Sequence, residues 1–134
     1  MHLYTAGLLV IEDRKLLLAY SRNKACYYLP GGKIDAGETP AIALCREIAE
    51  ELQVQLTEAD LQFYTHISAP AFGEAPGIWM EQDCFRIQKT IYPKPGAEIG
   101  AIRYFSLAEY RKEKNQAPGA VRILELLQTD ELVD

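Results

Sequence analysis

The sequence predicts an α/β or α+β sandwich, and three observations lead there. Apolar segments of strand length recur between residues 3 and 105. A capped, amphipathic helix interrupts them near residues 40–52, and a second apolar helical stretch follows the last of them. Strands mixed with at least two substantial helices bury their apolar faces most readily as helices packed on a sheet.

Residues 3–11 form a nearly continuous apolar run, as in a strand covered on both faces. Glu12-Asp13-Arg14 is a short polar turn, and residues 15–20 read as a second strand that pairs with the first in a hairpin. Ser21-Arg22-Asn23-Lys24 is a polar loop with two cations. Tyr27-Tyr28-Leu29 is a short strand that stops at Pro30-Gly31-Gly32. Two glycines after a proline suit either a plain turn or close approach of the backbone to a ligand. After a second turn at Asp35-Ala36-Gly37-Glu38, Thr39 is placed to cap a helix and Pro40 to fill its first position.

At about 100° per residue, Ala41, Cys45, Ile48, Ala49 and Leu52 form the apolar side of this helix. Glu47, Glu50 and Glu51 lie opposite, with the small Ala43 leaving room for a ligand beside them. Residues 61–67 read as a strand and 70–77 as a loop rich in Pro, Gly and Ala. Residues 79–87 read as a strand with Trp79, Glu81, Asp83 and Phe85 on one face. After a turn at 92–96, residues 101–105 make a further strand. Ser106 and Glu109 form a capping box for a helix over residues 107–114. A last helix after Gly119 offers Val121, Ile123, Leu124 and Leu127 to the core.

Length and charge narrow the function. A chain of 134 residues predicts one domain spanning 1–134 with a real core. A net charge of −5 argues against a groove for a nucleic-acid polymer. Three cysteines without a CxxC pair argue against a disulfide framework or a zinc site, and point to a reducing cytoplasm. No apolar run reaches the roughly 18 residues of a membrane span. The apolar start lacks a basic flank and a small-residue cleavage site, so it reads as a strand and not as a leader.

The acidic side of the first helix needs an explanation. Like charges at i, i+3 and i+4 destabilise a helix. Arg46 can pair with Glu50, but Glu47 and Glu51 have no Lys or Arg three or four residues away. A divalent cation would offset the repulsion; a solvated acidic face is the plainer alternative. The surroundings bear on the choice. Five residues separate Gly32 from Glu38 and seven separate Glu38 from Arg46. Arg46-Glu47-Ile48 is followed, after one residue, by Glu50-Glu51, with aliphatic Val54 beyond. This spacing, preceded by Leu29-Pro30-Gly31-Gly32, resembles the signature of the Nudix hydrolase family, MutT-like members included. Gln53 departs from it, standing where the family usually has Gly. A Gly suits the left-handed turn that ends a helix; Gln either prolongs the helix or takes that turn at a cost of about 1 kcal/mol.

The resemblance implies an α/β/α sandwich with a mixed β-sheet between helices. It implies hydrolysis of the diphosphate linkage in a nucleoside diphosphate derivative, foremost a (deoxy)nucleoside triphosphate going to the monophosphate and pyrophosphate. ADP-ribose or a nucleotide sugar is the alternative substrate. A nucleotide-sensing module without activity is a further alternative, disfavoured by the complete set of acids. The implied cofactor is Mg²⁺ or Mn²⁺, held by Glu47, Glu50, Glu51 and the carbonyl of Gly32, with Glu38 in support. Arg46 would hold a glutamate through its guanidinium fork. The general base stays open between Glu47 and Glu98, with Glu74 and Glu81 as weaker candidates. Arg22 and Lys33 are candidate cations for the phosphates, and Tyr28, Trp79 and Tyr104 candidate stacking surfaces for the base. Each has a plain reading as surface charge or sheet aromatic. His66 has no assigned role, and Cys45 reads as a core residue. The expected partner is a small nucleotide, with neither a nucleic-acid polymer nor a membrane; a homodimer stays open.

Overall fold

A computed structural model describes residues Met1–Asp134. The strands are β1 (His2–Leu9), β2 (Ile11–Glu12), β3 (Lys15–Ser21), β4 (Cys26–Tyr28), β5 (Gly31–Lys33), β6 (Leu61–Pro70), β7 (Trp79–Ile87) and β8 (Ile99–Phe105). The helices are α1 (Pro40–Leu52), α2 (Leu107–Tyr110) and α3 (Pro118–Thr129). One sheet has the order β5-β1-β7-β6 and is mixed, because β1 and β7 run parallel while the other pairs are antiparallel. In the other, β3 pairs with β2, β4 and β8. The expected mixed α/β arrangement is therefore present.

Two cores explain the continuous apolar runs. Leu9, Leu16 and Leu18 pack with Phe105, Tyr110 and the Ile123, Leu124 and Leu127 side of α3. Ala6, Leu8, Val10 and Leu17 pack with Leu44, Ile48 and Leu52 of α1. Successive strand residues point to opposite faces, so β1 and β3 supply both cores and are apolar on both faces over residues 6–9 and 16–19. This also corrects the expected hairpin. Only the two residues of β2 pair with β3, whereas β1 belongs to the other sheet.

The Pro30-Gly31-Gly32 segment is not a plain turn. Gly31–Lys33 is a strand antiparallel to β1, with Gly7 opposite Gly31 and Ala6 opposite Gly32. Gly31 has φ +142°, and a Cβ there would overlap the carbonyl oxygen of Ala6. Glycine is what lets the two backbones meet.

Helix α1 starts as expected. Thr39 caps it, its Oγ1 accepting from the Ile42 N–H at 3.2 Å, and Pro40 opens it. It stops at Gln53, which takes the left-handed turn at φ 55°, ψ 40°. Its buried side differs from the expected one. Ala43, Leu44, Ile48 and Leu52 are buried, while Ala41, Cys45 and Ala49 are half-buried. The side facing the sheet is rotated towards Ala43, which is packed and leaves no open space. Glu47 and Glu51 therefore lie at the edge of the packed side instead of opposite it.

Helix α2 is one turn, shorter than the expected 107–114, although its Ser106–Glu109 capping box forms. Tyr110 is fully buried, donating from its hydroxyl to the Tyr27 carbonyl at 2.7 Å and accepting from the Ala117 N–H at 2.8 Å. Gly119 lies inside α3 and not before it, and no helix is long and apolar enough to cross a membrane.

The rotated face of α1 is testable by urea denaturation. Leu44→Ala should lower stability by about 2–5 kcal/mol. Ile42→Ala, at an exposed position, should change it by no more than about 0.5 kcal/mol.

Candidate active site

One side chain ties the β5–α1 connection to the helix. Arg46 donates from Nε and Nη2 to the two oxygens of Glu38, each at 2.9 Å. It donates from Nη1 to Glu47 Oε1 at 2.8 Å and from Nη2 to the Lys33 carbonyl at 3.0 Å. Asp35 Oδ2 stands 3.3 Å from Nη2 and Glu50 Oε1 3.9 Å from Nη1. The planar fork with its five donors is what can serve so many acceptors at once. The Arg46 guanidinium, helped by the Asp35 N–H, holds the Glu38 carboxyl down to about 2. Both Glu38 oxygens are thus engaged by Arg46, so this residue bears on the site through Arg46.

Glu47 is held against the backbone of β5. A Cβ at Gly32 would lie 2.5–2.8 Å from the three atoms of the Glu47 carboxylate. Glycine therefore leaves the space that this carboxylate occupies. One turn on, Glu51 Oε1 accepts from the Gly31 N–H at 3.0 Å. Burial pushes the Glu51 carboxyl up to about 8, the Gly31 N–H opposes this, and the charges of Glu47, Glu98 and Glu50 add to it. Burial also raises Glu47, against the pull of Arg46. Glu50 is different: its side chain is 56 % exposed, against 17 % for Glu47.

Glu98 enters from another part of the chain. The loop before β8 docks on the end of α1, where a helix leaves carbonyls without partners. The Lys94 N–H donates to the Leu52 carbonyl and the Gly96 N–H to the Glu51 carbonyl, both at 2.9 Å. The left-handed turn at Gln53 sends its amide to the Pro95 carbonyl, to which it donates at 2.8 Å. A Cβ at Gly96 would lie 2.5 Å from the Glu50 carbonyl oxygen, so this docking also depends on glycine. Beyond the loop, Ser21 Oγ donates to Glu98 Oε2 at 3.4 Å, and the Arg22 N–H donates to the Glu98 carbonyl at 3.3 Å.

These elements border one cavity of about 410 Å³. Of the predicted residues, Gly32, Lys33, Tyr28, Glu47, Glu51 and Glu98 line it, as does the weaker candidate Glu74. Lys33 Nζ stands 4.0 Å from Glu74 Oε1. The Tyr28 hydroxyl donates to the Phe72 carbonyl at 3.2 Å, and the two rings meet edge to face at 6.1 Å.

Glu38, Arg46 and Glu50 stand next to this lining without bordering the cavity, and other predicted residues lie farther off. The β7 residues that reach the cavity are Met80 and Gln82, so strand alternation sends Trp79 to the outer face of the sheet. Tyr104 pairs with Leu17, on the face that also carries Ala19 and Ser21, but lies farther along β8 than Ile99 and packs against the α1 core instead of bordering the cavity. Its hydroxyl donates to Glu12 Oε2 at 2.7 Å. Arg22 turns away and donates from Nη1 to the Ala97 carbonyl at 3.3 Å. Glu81 also leaves the candidate bases. It sits on the outer face, with Ser68 at 2.7 Å, His66 Nε2 at 2.9 Å and His2 Nδ1 at 3.1 Å. His66 is fixed between Glu81 and Asp83, and their hydrogen bonds raise its pKa.

Sequence reasoning missed Lys24, Phe72 and Gln82, all of which line the cavity. The alternation of β7 separates Gln82 from Trp79, but nothing in the sequence marks which face fronts the cavity. Lys24 was legible as a loop cation, and its Nζ stands 5.2 Å from the centre of the Tyr28 ring.

The donor chemistry suits a hard divalent ion. Glu47, Glu51 and the β5 backbone offer oxygens, and their negative charges crowd one another in a partly desolvated place. No three His, Cys, Asp or Glu side chains are gathered tightly enough to form a ready-made cage, since Arg46 holds Glu47 and Gly31 holds Glu51.

Residues 1–127 match the NUDIX domain family. The chain belongs to the Nudix hydrolase family. It is 44% identical over 46 residues to an ADP-ribose pyrophosphatase of Methanocaldococcus jannaschii, a match covering 32% of this chain and 27% of that protein. Among solved structures it is similar to the MutT NUDIX hydrolase of Burkholderia pseudomallei, at 22% identity and a TM-score of 0.71, covering 92% of this chain and 95% of that one. It is similar to a MutT protein of Methanosarcina mazei Go1, at 16% identity and a TM-score of 0.76, covering 97% and 95%. A third likeness is to a bifunctional NMN adenylyltransferase/ADP ribose pyrophosphatase of Francisella tularensis complexed with AMP and a manganese ion. It stands at 20% identity and a TM-score of 0.70, covering 97% of this chain and 42% of that one. Nudix hydrolases generally need a divalent metal ion.

Two outcomes follow from this Nudix site. Replacing Arg46 by Lys keeps the charge and loses the fork, and should lower kcat/KM by about 10–100-fold in steady-state assays. The second concerns pH. The folded Glu51 carboxyl is raised from 4.5 to about 8, so its contribution to stability is present below about 4.5 and lost as pH rises through about 8. Metal-free protein should lose melting temperature between about pH 5 and pH 9, and Glu51→Gln should flatten that loss. An equal slope in both proteins would remove Glu51 as its cause.

Proposed function

We propose that this Nudix protein is a metal-dependent pyrophosphohydrolase that converts a (deoxy)nucleoside triphosphate to the monophosphate and pyrophosphate. One observation carries the reading: a single cavity joins the Glu47, Glu51 and Glu98 carboxylates, two lysines and an apolar end bordered by Tyr28 and Phe72. Those are the parts that a diphosphate bridge, its negative charge and a heterocyclic base require.

Glu47, Glu50, Glu51 and the Gly32 carbonyl are the oxygens that would hold Mg²⁺ or Mn²⁺, which when bound neutralises phosphate charge and makes water more acidic. The remaining roles belong to the chain's own residues. Lys24 and Lys33 attract the phosphates. Arg46 keeps Glu47 in place. Glu98 takes the proton from the attacking water as the new P–O bond forms and the bridging P–O bond breaks. It is preferred to Glu47 because Arg46 already occupies one Glu47 oxygen at 2.8 Å, whereas Glu98 has a single 3.4 Å contact from Ser21. The three unpaired cysteines fit a cytoplasmic place of action.

The local identity to an ADP-ribose pyrophosphatase favours a second reading, with ADP-ribose or a nucleotide sugar as substrate. A hydrolysis screen with Mg²⁺ and Mn²⁺ separates the two. Pyrophosphate release from triphosphates supports the first, and turnover of ADP-ribose alone moves the assignment to the second. In the same assay, Glu50→Gln and Glu51→Gln should each lower kcat by about 100-fold or more at saturating metal while the circular dichroism spectrum stays unchanged. Near wild-type kcat in either variant would retire the role given to that residue.

A further inference from the structure

The apolar end of the cavity contains one polar side chain with hydrogen-bonding capacity to spare. Gln82 is only 5 % exposed and borders the cavity beside Leu3, Tyr28, Phe72 and Met80. Its Oε1 lies 3.9 Å from Cys84 Sγ, a weak donor. Its Nε2 has no acceptor in the protein. No side-chain nitrogen or oxygen is both sealed from solvent and unpartnered, so Nε2 opens onto the cavity. Burying an amide without a partner is unfavourable, and an apolar residue would fill a strand interior at less cost.

The surroundings are shaped around this amide. Across from it, a Cβ at Gly7 would lie 3.1 Å from the amide carbon and nitrogen of Gln82, and would overlap Leu29. The neighbouring polar groups are already engaged: the Tyr28 hydroxyl donates to the Phe72 carbonyl, and Thr5 Oγ1 to the Glu81 carbonyl at 3.3 Å. The sheet also sets the distance to the charged end. Thr5 of β1 faces Lys33 on one side and Gln82 on the other. Lys33 and Gln82 are thus two strand spacings apart, about 10 Å. A ribose and a phosphate span that gap.

We propose that Gln82 is a specificity-determining residue that reads the nucleobase, donating from Nε2 to a carbonyl oxygen or ring nitrogen on the base edge. Tyr28 and Phe72 supply the apolar surface beside it. This rests on the nucleotide reading above and adds which residue senses the base. An amide presents a donor and an acceptor side by side, the arrangement that pairs with a complementary base edge.

The test measures affinity without turnover. AMP, GMP, CMP, UMP and the base-free ribose 5-phosphate are titrated by calorimetry into the wild type, into Gln82→Met, which keeps the length of the side chain, and into Gln82→Leu. Melting curves establish which variants are folded. The wild type should rank the four nucleotides. A folded variant should bind the preferred one about tenfold more weakly and ribose 5-phosphate as the wild type does. An unchanged ranking and affinity in a folded variant, or no ranking in the wild type, overturns the proposal. Pyrophosphate release from triphosphates is followed separately. A ranking that depends on Gln82 without triphosphate hydrolysis keeps this inference and removes the substrate proposed above. Hydrolysis with a ranking indifferent to Gln82 does the reverse.

Discussion

Arg46 is the constraint on which the rest of the site depends. Its guanidinium reaches Glu38 in the turn, the Lys33 carbonyl at the end of β5, and Glu47 on its own helix. The connection between β5 and α1 has little apolar content of its own to fix it. A charge-assisted, two-pronged hydrogen bond replaces that packing. The close fit of Gly32 on the Glu47 carboxylate has meaning only while Arg46 keeps that carboxylate there.

The apolar part of α1 sets the electrostatics. Leu44, Ile48 and Leu52 draw the helix onto β1 and β3. Glu51 comes in with them and reaches the Gly31 N–H. A carboxyl so placed disfavours its own charge. Such a conflict between burial and charge would be a defect in an ordinary core, and it is tolerated where function needs it. Hydrophobic packing thus holds a carboxyl where its own charge is disfavoured.

Much of this was legible in the chain itself. Thr39, Pro40 and the spacing from Gly32 to Glu51 marked the helix, its start and its acids, because capping and helical periodicity are local rules. The left-handed stop at Gln53 followed from the same rules, as one of two choices. What stayed hidden depends on which face of an element meets which neighbour. Helical periodicity placed Ala43 opposite the apolar side, but the packed side is centred nearer Leu44. Alternation grouped Trp79 with Glu81 and Asp83 correctly, yet could not show that the cavity lies on the other face, with Gln82. Tyr104 was lost to its place along β8, where it packs on the α1 core, and Arg22 to the direction of its loop; both are tertiary facts. Glu98 was singled out because its place before a strand is similar to that of a loop carboxylate in the Nudix family, whereas the docking of its loop on α1 has no local signal.

That docking makes one wall of the cavity a single piece. Helix α1, β5 and the loop through Glu98 share hydrogen bonds at Leu52, Glu51 and Gln53. The facing wall is the tip of the β6–β7 hairpin, where residues 71–78 are held by short-range bonds such as Ala71 N–H to the Ile78 carbonyl. Gly73 and Gly77 at that tip adopt φ of 79° and 88°. Insertions and substitutions at a hairpin tip are absorbed locally. The carboxylates thus stand on a wall tied together by hydrogen bonds, while a change at the facing hairpin tip can be absorbed without disturbing that wall.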